Sequence, residues 1–189
     1  MSPPIARDLW PAVARWIPDT VPALGRAIAE RACYDVGVCE NPPGSNRSPS
    51  IDAWCKRAGS PVGSYWCACW ATAVWEDCGA ALPARSRGSC DVIRDWAEER
   101  GLFLQTPVEG AFVIYGSPSG DGKWRRLGDG KPDCVHIGIV IRTLPYLISV
   151  EGNAAWGGHS RNGEAVVVPK VEESRVLEYV HPVAEEAAG

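Results

Sequence analysis

Cys67 lies in Tyr65-Trp66-Cys67-Ala68-Cys69-Trp70, at the head of an apolar stretch with helical spacing. Far downstream, His136 falls in a β-branched run, and Glu151-Gly152-Asn153 closes the next one. A thiol at a helix start, followed by an imidazole and then polar groups on strands, is the set a thiol hydrolase needs: nucleophile, base and orienter. The chain has only 3 histidines, so the search for a base is short. His159 follows Gly157-Gly158 in loop-like sequence and His181 precedes Pro182 near the end, both poorer settings than a strand.

Each of these residues has a plainer alternative. A cysteine at a helix N-terminus faces unpaired N–H groups and the positive end of the macrodipole, which favour thiolate over thiol. Cys67 has that position; Cys69, two residues on, points elsewhere and reads as buried. Cys67 standing alone among tryptophans would read as structural. Alternation in Cys134-Val135-His136-Ile137-Gly138-Ile139-Val140-Ile141 puts the odd-numbered Val135, Ile137, Ile139 and Ile141 on one face. His136, Gly138 and Val140 share the other, with Gly138 leaving room for a helix start to approach. An imidazole with an unshifted pKa near 6.5 is suited to take the thiol proton and return it to a leaving amine. Otherwise His136 is a half-buried strand residue bonded to a carbonyl. Glu151 and Asn153, two apart, face one way on an extended chain and could hold the second ring nitrogen. Otherwise they serve solvent and a turn.

The elements that would position these groups change period midway. Pro18-Asp19-Thr20 precedes a helix through Val21, Leu24 and Ile28, with Asp19 or Thr20 as cap, Pro22 in its first turn and an end before Val36-Gly37. Glu40-Asn41-Pro42-Pro43-Gly44-Ser45-Asn46-Arg47-Ser48-Pro49 is too rich in turn formers for regular structure. Ser50 is expected to cap a short helix carrying Ile51, Trp54 and Cys55, ending at Gly59. Ser64 or Tyr65 starts the helix of Cys67, Trp70, Ala71, Val74 and Cys78, which Gly79 ends, and Ser89 or Cys90 starts another, closed by Gly101. Short β-branched runs follow at 111–115, 135–141, 147–151, 165–168 and 176–180. Helices first and an antiparallel sheet after is the α+β order.

Composition sets the outer bounds. A chain of 189 residues, 46% apolar, suits one domain with an ordinary core. The net charge of −4, without any basic run, argues against a nucleic-acid partner. No apolar stretch reaches the roughly 18–20 residues of a membrane span, so membrane insertion is not expected. The start has neither the basic region nor the apolar core of a signal peptide. Eight cysteines exceed packing needs. Cys33 with Cys39, and Cys55, Cys78, Cys90 and Cys134 among themselves, are candidate disulfide partners, against the alternative of buried thiols. Cys67, Cys69 and Cys78 lack a fourth ligand, and no metal or other cofactor is expected.

Taken together, Glu40 with Gly44-Ser45-Asn46-Arg47, Trp66-Cys67-Ala68, Val135-His136-Ile137-Gly138-Ile139-Val140 and Val150-Glu151-Gly152-Asn153 resemble the CHAP family of cysteine amidohydrolases and peptidases. The resemblance covers about residues 32–155, leaving 1–31 as an N-terminal helical extension of one catalytic domain over 1–189. It implies a papain-like core and cleavage of an amide bond in peptidoglycan, as an N-acetylmuramoyl-L-alanine amidase or an endopeptidase. It further implies Cys67 as nucleophile, His136 as base and acid, and Glu151 and Asn153 as orienters. The Cys67 N–H would meet the oxyanion, with Tyr65 and Asn46 as candidates for a second donor. Trp66, Trp70, Trp124 and Trp156 are candidate groove aromatics, Trp66 and Trp156 being next to proposed catalytic residues and Trp70 and Trp75 fitting a core. A phage-lysin role is expected, reaching the cell wall or periplasm through a holin-type or secretion route. The alternatives are an antibacterial toxin of the same chemistry and a non-catalytic wall-binding or structural protein keeping the fold.

Two departures stand out. Val108-Glu109-Gly110-Ala111 replaces the family's usual Pro-Gly-Asp before the histidine strand, so a turn carboxylate is moved or missing. The segment 116–133 carries Asp121, Asp129 and Asp133 among glycines without EF-hand spacing and reads as a solvated rim loop rather than a calcium site.

Overall fold

A computed structural model describes residues 22–119, 123–155 and 163–185. Four helices lead: α1 (Ala23–Tyr34), α2 (Pro49–Ala58), α3 (Cys67–Asp77) and α4 (Cys90–Glu99). They are followed by strands β1 (Phe103–Leu104), β2 (Phe112–Gly116), β3 (Cys134–Arg142), β4 (Ile148–Ala154), β5 (Ala165–Val167) and β6 (Val176–Val180). The strands form one sheet in the order β1-β6-β2-β3-β4-β5, every pairing antiparallel. The α+β order expected from the change of period is the one observed. Among the described residues no helix is long and apolar enough to cross a membrane.

Helix starts moved by small amounts that matter. Pro22 precedes α1 as its N-cap rather than sitting in the first turn. The cap of α2 is Ser48, whose hydroxyl accepts from Ile51 N at 3.3 Å, with Pro49 rather than Ser50 opening the helix. Proline has no N–H to lose at that position and its fixed φ suits the first turn, which is why the start shifts two residues upstream. Helix α1 crosses the 31/32 boundary and is buried through Ile28, Ala29 and Ala32, so it belongs to the core. Trp70 Nε1 donates to Asp35 Oδ2 at 2.9 Å, tying the end of α1 to α3.

Alternation in β3 divides the core as its sequence requires. Ile137, Ile139 and Ile141 join the large cluster with α1 to α4, including Trp66, Cys67, Trp70 and Trp75. Val140 joins a second cluster with Val113, Tyr115, Leu147 and Val171. Trp75 lies on Phe112 with ring centroids 3.6 Å apart and donates to the Gly110 carbonyl at 3.0 Å, fixing α3 to β2. Gly152 is what lets α3 approach β4. A Cβ there would stand 2.9 Å from Trp66 Cζ3 and 3.1 Å from Trp70 Cβ, closer than packed side chains tolerate.

The loop after β2 is built from backbone bonds: Arg125 N donates to Ser117 O at 2.7 Å and Leu127 N to Lys131 O at 2.8 Å. Lys131 Nζ reaches Asp95 Oδ2 at 2.6 Å, anchoring it to α4. Asp129 accepts from Lys131 N at 2.9 Å, and Asp121 lies outside the described residues. In the turn before β2, Glu109 accepts from Thr143 N at 3.3 Å and Thr143 Oγ1 at 3.0 Å.

Candidate active site

Helix α3 begins at Cys67, with Trp66 as N-cap, two to three residues later than the expected start at Ser64 or Tyr65. That shift puts Cys67 at the first helical position. No side chain caps this end and the first turn has no acidic residue, so the positive end of the helix is left for the thiol. Cys67 is 5% exposed and opens into a cleft of about 190 Å³ lined by Tyr65, Gly88, Ser89, Cys90, Asp91, Cys134 and Val135. The cleft lies at the start of β3, where the imidazole is carried.

His136 is buried, and its Nε2 meets Glu151 Oε2 at 2.9 Å. Its ring tilts over Tyr115, the cross-strand partner, with centroids 5.7 Å apart. Nε2 being committed to Glu151, Nδ1 is the buried ring nitrogen still without a hydrogen-bond partner, and so the one available to Cys67. Burial acts to lower the imidazole pKa, but hydrogen bonding and charge at Cys67 and Glu151 outweigh it and raise the ring from 6.5 to about 10. Cys67 moves the opposite way, well below an ordinary thiol: a hydrogen bond from Cys90 leads, burial opposes, and His136 and the Ala68 N–H add to the fall. Both shifts favour thiolate with imidazolium over the neutral pair. The expectation of an imidazole near 6.5 is therefore corrected, because Cys67 and Glu151 together favour the charged ring against its burial.

Glu151 is fully buried and accepts from three donors: Tyr115 Oη at 2.5 Å, Ser149 Oγ at 2.7 Å and the His136 ring at 2.9 Å. Hydrogen bonds to a charged group are worth roughly 1.5–3 kcal/mol each. Three of them match the several kcal/mol that burying one carboxylate costs, so the ionised form is sustainable there. Tyr115 is held as a phenol, its pKa pushed well up by burial and by Glu151. The space above Gly138 is filled by this carboxylate arm, not by a helix start: a Cβ on Gly138 would lie 2.6 Å from Glu151 Cγ.

Asn153 has a different task from the one its spacing suggested. Its φ of 55° takes it out of the regular strand, and β4 pairs irregularly with β5 between Glu151 and Ala154. With its amide oxygen toward α3, it accepts from Trp66 N at 3.2 Å and donates to the Gly163 carbonyl. Asn153 thus holds the residue before Cys67, while Glu151 holds the imidazole.

The substrate-binding candidates separate. Tyr65 is 52% exposed on the cleft wall. Trp66 is fully buried, stacked on Trp54 at 5.9 Å and donating through Nε1 to Glu40 Oε1 at 3.0 Å, so it offers no face to a substrate. Asn46 donates its N–H to Glu40 Oε2 at 2.8 Å and is not among the cleft-lining residues. Trp70 is fully buried, and Trp124 packs against Gly116. Trp156 and His159 lie outside the described residues.

Cys69 also has a lowered pKa, through a hydrogen bond from Cys55 chiefly, against burial. A depressed thiol is therefore not sufficient to select the nucleophile. Cys69 is fully buried, whereas Cys67 has the imidazole and the cleft. All eight cysteines are free thiols. Among the described residues no group of three or more His, Cys, Asp or Glu is arranged to hold a metal ion.

Tyr115 and Ser149 were not singled out from sequence, and Cys90 and Glu40 were named there without a role at this site. Ser149 could have been found, standing two residues before Glu151 on the same strand face. Tyr115 depends on the β2–β3 register and Cys90 on how two helix starts meet, neither of which is written locally. No protein-family model, curated protein or solved structure matches this chain.

Proposed function

We propose that the protein is a cysteine amidase or endopeptidase acting on peptidoglycan, with the single-domain, papain-like organisation of the CHAP family. The observation that carries the catalytic part is the Cys67–His136–Glu151 arrangement, a buried imidazole bonded to a carboxylate at 2.9 Å beside a thiol at an uncapped helix start. The substrate class rests on the resemblance of the four motifs around Glu40, Cys67, His136 and Glu151.

The chemistry is acyl transfer. The Cys67 thiolate attacks an amide carbonyl, forming the C–S bond, and the Cys67 N–H at the helix start receives the oxyanion. Tyr65, on the same cleft wall, is the candidate for a second donor. The His136 imidazolium gives its proton to the departing amine as the C–N bond breaks. Water then attacks the thioester, its proton going to His136 and the thiolate leaving. Glu151 keeps the ring oriented throughout, while the ring loses its proton to the amine and regains one from water. The site of action would be the cell wall or periplasm, reached by holin-type release or by a secretion system, as a lysin or as a toxin of the same chemistry.

The test is digestion of purified peptidoglycan with wild type and Cys67→Ala, scoring new ends. New amine ends from wild type only support the reading. Reducing-sugar ends, equal release by Cys67→Ala, or intact polymer would overturn it.

A further inference from the structure

The hydrolytic mechanism gives Cys90 no covalent part, although its sulfur faces Cys67. Cys90 Sγ lies 4.0 Å from Cys67 Sγ, and the two are 23 positions apart in sequence. Both open helices, Cys67 in α3 and Cys90 in α4, so the two first turns present their sulfurs to one another. Both also line the same cleft, where a small oxidant has access. The start of α4 is fixed in place: Ser89 caps it through Val92 N at 3.4 Å, and Asp91 Oδ1 accepts from Cys134 N at 3.0 Å. Cys134 lines the cleft too, but its thiol is turned to the Pro132 carbonyl at 3.7 Å.

We propose that Cys90 is a resolving thiol, forming a reversible disulfide with Cys67 when the nucleophile is oxidised by a hydroperoxide. This rests on the reading of Cys67 as the reactive thiol and extends it to a modification site that protects the nucleophile. In the first step the Cys67 thiolate attacks a peroxide oxygen: an S–O bond forms, the O–O bond breaks, and hydroxide (or alkoxide) leaves. In the second, Cys90 sulfur attacks the sulfenic sulfur of Cys67: the S–S bond forms, the S–O bond breaks, and the hydroxyl leaves as water with the Cys90 proton. The sulfurs must close by about 2 Å to reach bonding distance, a movement within reach of side-chain rotation at two helix starts. Cys90 keeps its proton until then, its pKa pushed well up by the hydrogen bond it gives to Cys67 and by burial. A dithiol reductant restores both thiols, being itself oxidised to its disulfide.

The experiment treats the full-length protein with hydrogen peroxide, blocks remaining thiols with N-ethylmaleimide, and maps unreduced peptides with fragment spectra that separate Cys67 from Cys69. The expected product is a Cys67–Cys90 linkage, with Cys67 reactivity toward iodoacetamide recovered by dithiothreitol. In Cys90→Ser, Cys67 should go on to sulfinic acid, lowering that recovery about tenfold. Cys134→Ser should still form the linkage. A linkage to Cys134 instead, sulfinic acid at Cys67 in wild type without the disulfide, or full recovery in Cys90→Ser would overturn the proposal. Should Cys90→Ser fail to fold, the wild-type map decides alone. The readout is thiol chemistry, so an oxidised linkage without peptidoglycan hydrolysis would defeat only the substrate reading. Hydrolysis without the linkage would defeat only this inference.

Discussion

Replacing Glu151 by glutamine preserves the shape of the site and removes one charge. The amide oxygen can still accept from Tyr115 and Ser149, but its NH2 then faces the protonated His136 nitrogen, donor against donor. Raising the imidazole from 6.5 to about 10 represents on the order of 4–5 kcal/mol of preference for the charged ring. Cys67 and Glu151 share that preference, and breaking a buried pair by removing one partner commonly costs about 3–5 kcal/mol. The expected loss in kcat/KM is therefore about 2–4 kcal/mol, or roughly 30- to 1000-fold. Two assays check it: hydrolysis of peptidoglycan, and a pH titration of the His136 ring followed by 15N NMR. The ring should lose its proton at clearly lower pH in Glu151→Gln than in wild type. Activity within about threefold of wild type, together with an unmoved titration, would refute the assigned role of Glu151.

Three further outcomes are expected. Gly138→Ala places a methyl 2.6 Å from Glu151 Cγ and 3.1 Å from the Val150 carbonyl, so it should cost about 1–3 kcal/mol of stability and reduce hydrolysis. Unchanged Tm and activity would contradict that packing. The pH profile of kcat/KM should rise on the acid side as Cys67 loses its proton below the ordinary thiol range, and fall near pH 10 as the imidazolium is lost. A single limb rising near pH 9 would mean an unperturbed thiol. Exhaustive dialysis against EDTA should leave hydrolysis intact, and a loss of about tenfold or more restored by calcium would make the 116–133 loop an ion site.

The parts legible in the sequence were those governed by local periodicity. Apolar residues from Cys67 to Cys78 have helical spacing, and the alternation through β3 places His136 opposite Ile137 and Ile139, as found. The motif residues Cys67 and His136 are brought to one end of the sheet, and Glu151 reaches the ring. What was not legible depended on register and on competition for space. Gly138 suggested room for a helix, but the Glu151 arm takes it, and Gly152 makes the helix approach instead. Asn153 looked equivalent to Glu151 by spacing, yet its positive φ and its bond to Trp66 N turn it to the helix start. Trp66 next to Cys67 suggested a groove, but its indole is buried against Trp54, and Glu40 satisfies its N–H. Strand β1 escaped notice because two residues carry no period.

The most direct test of the ion pair at the centre of this account is the rate of Cys67 alkylation by iodoacetamide as a function of pH, with the labelled residue located by mass spectrometry. Cys67 should react ahead of the other cysteines, including the depressed but buried Cys69, at a rate that stays level through neutral pH and falls only well on the acid side. A rate that climbs about tenfold per pH step up to the ordinary thiol range, or first labelling at another cysteine, would contradict it.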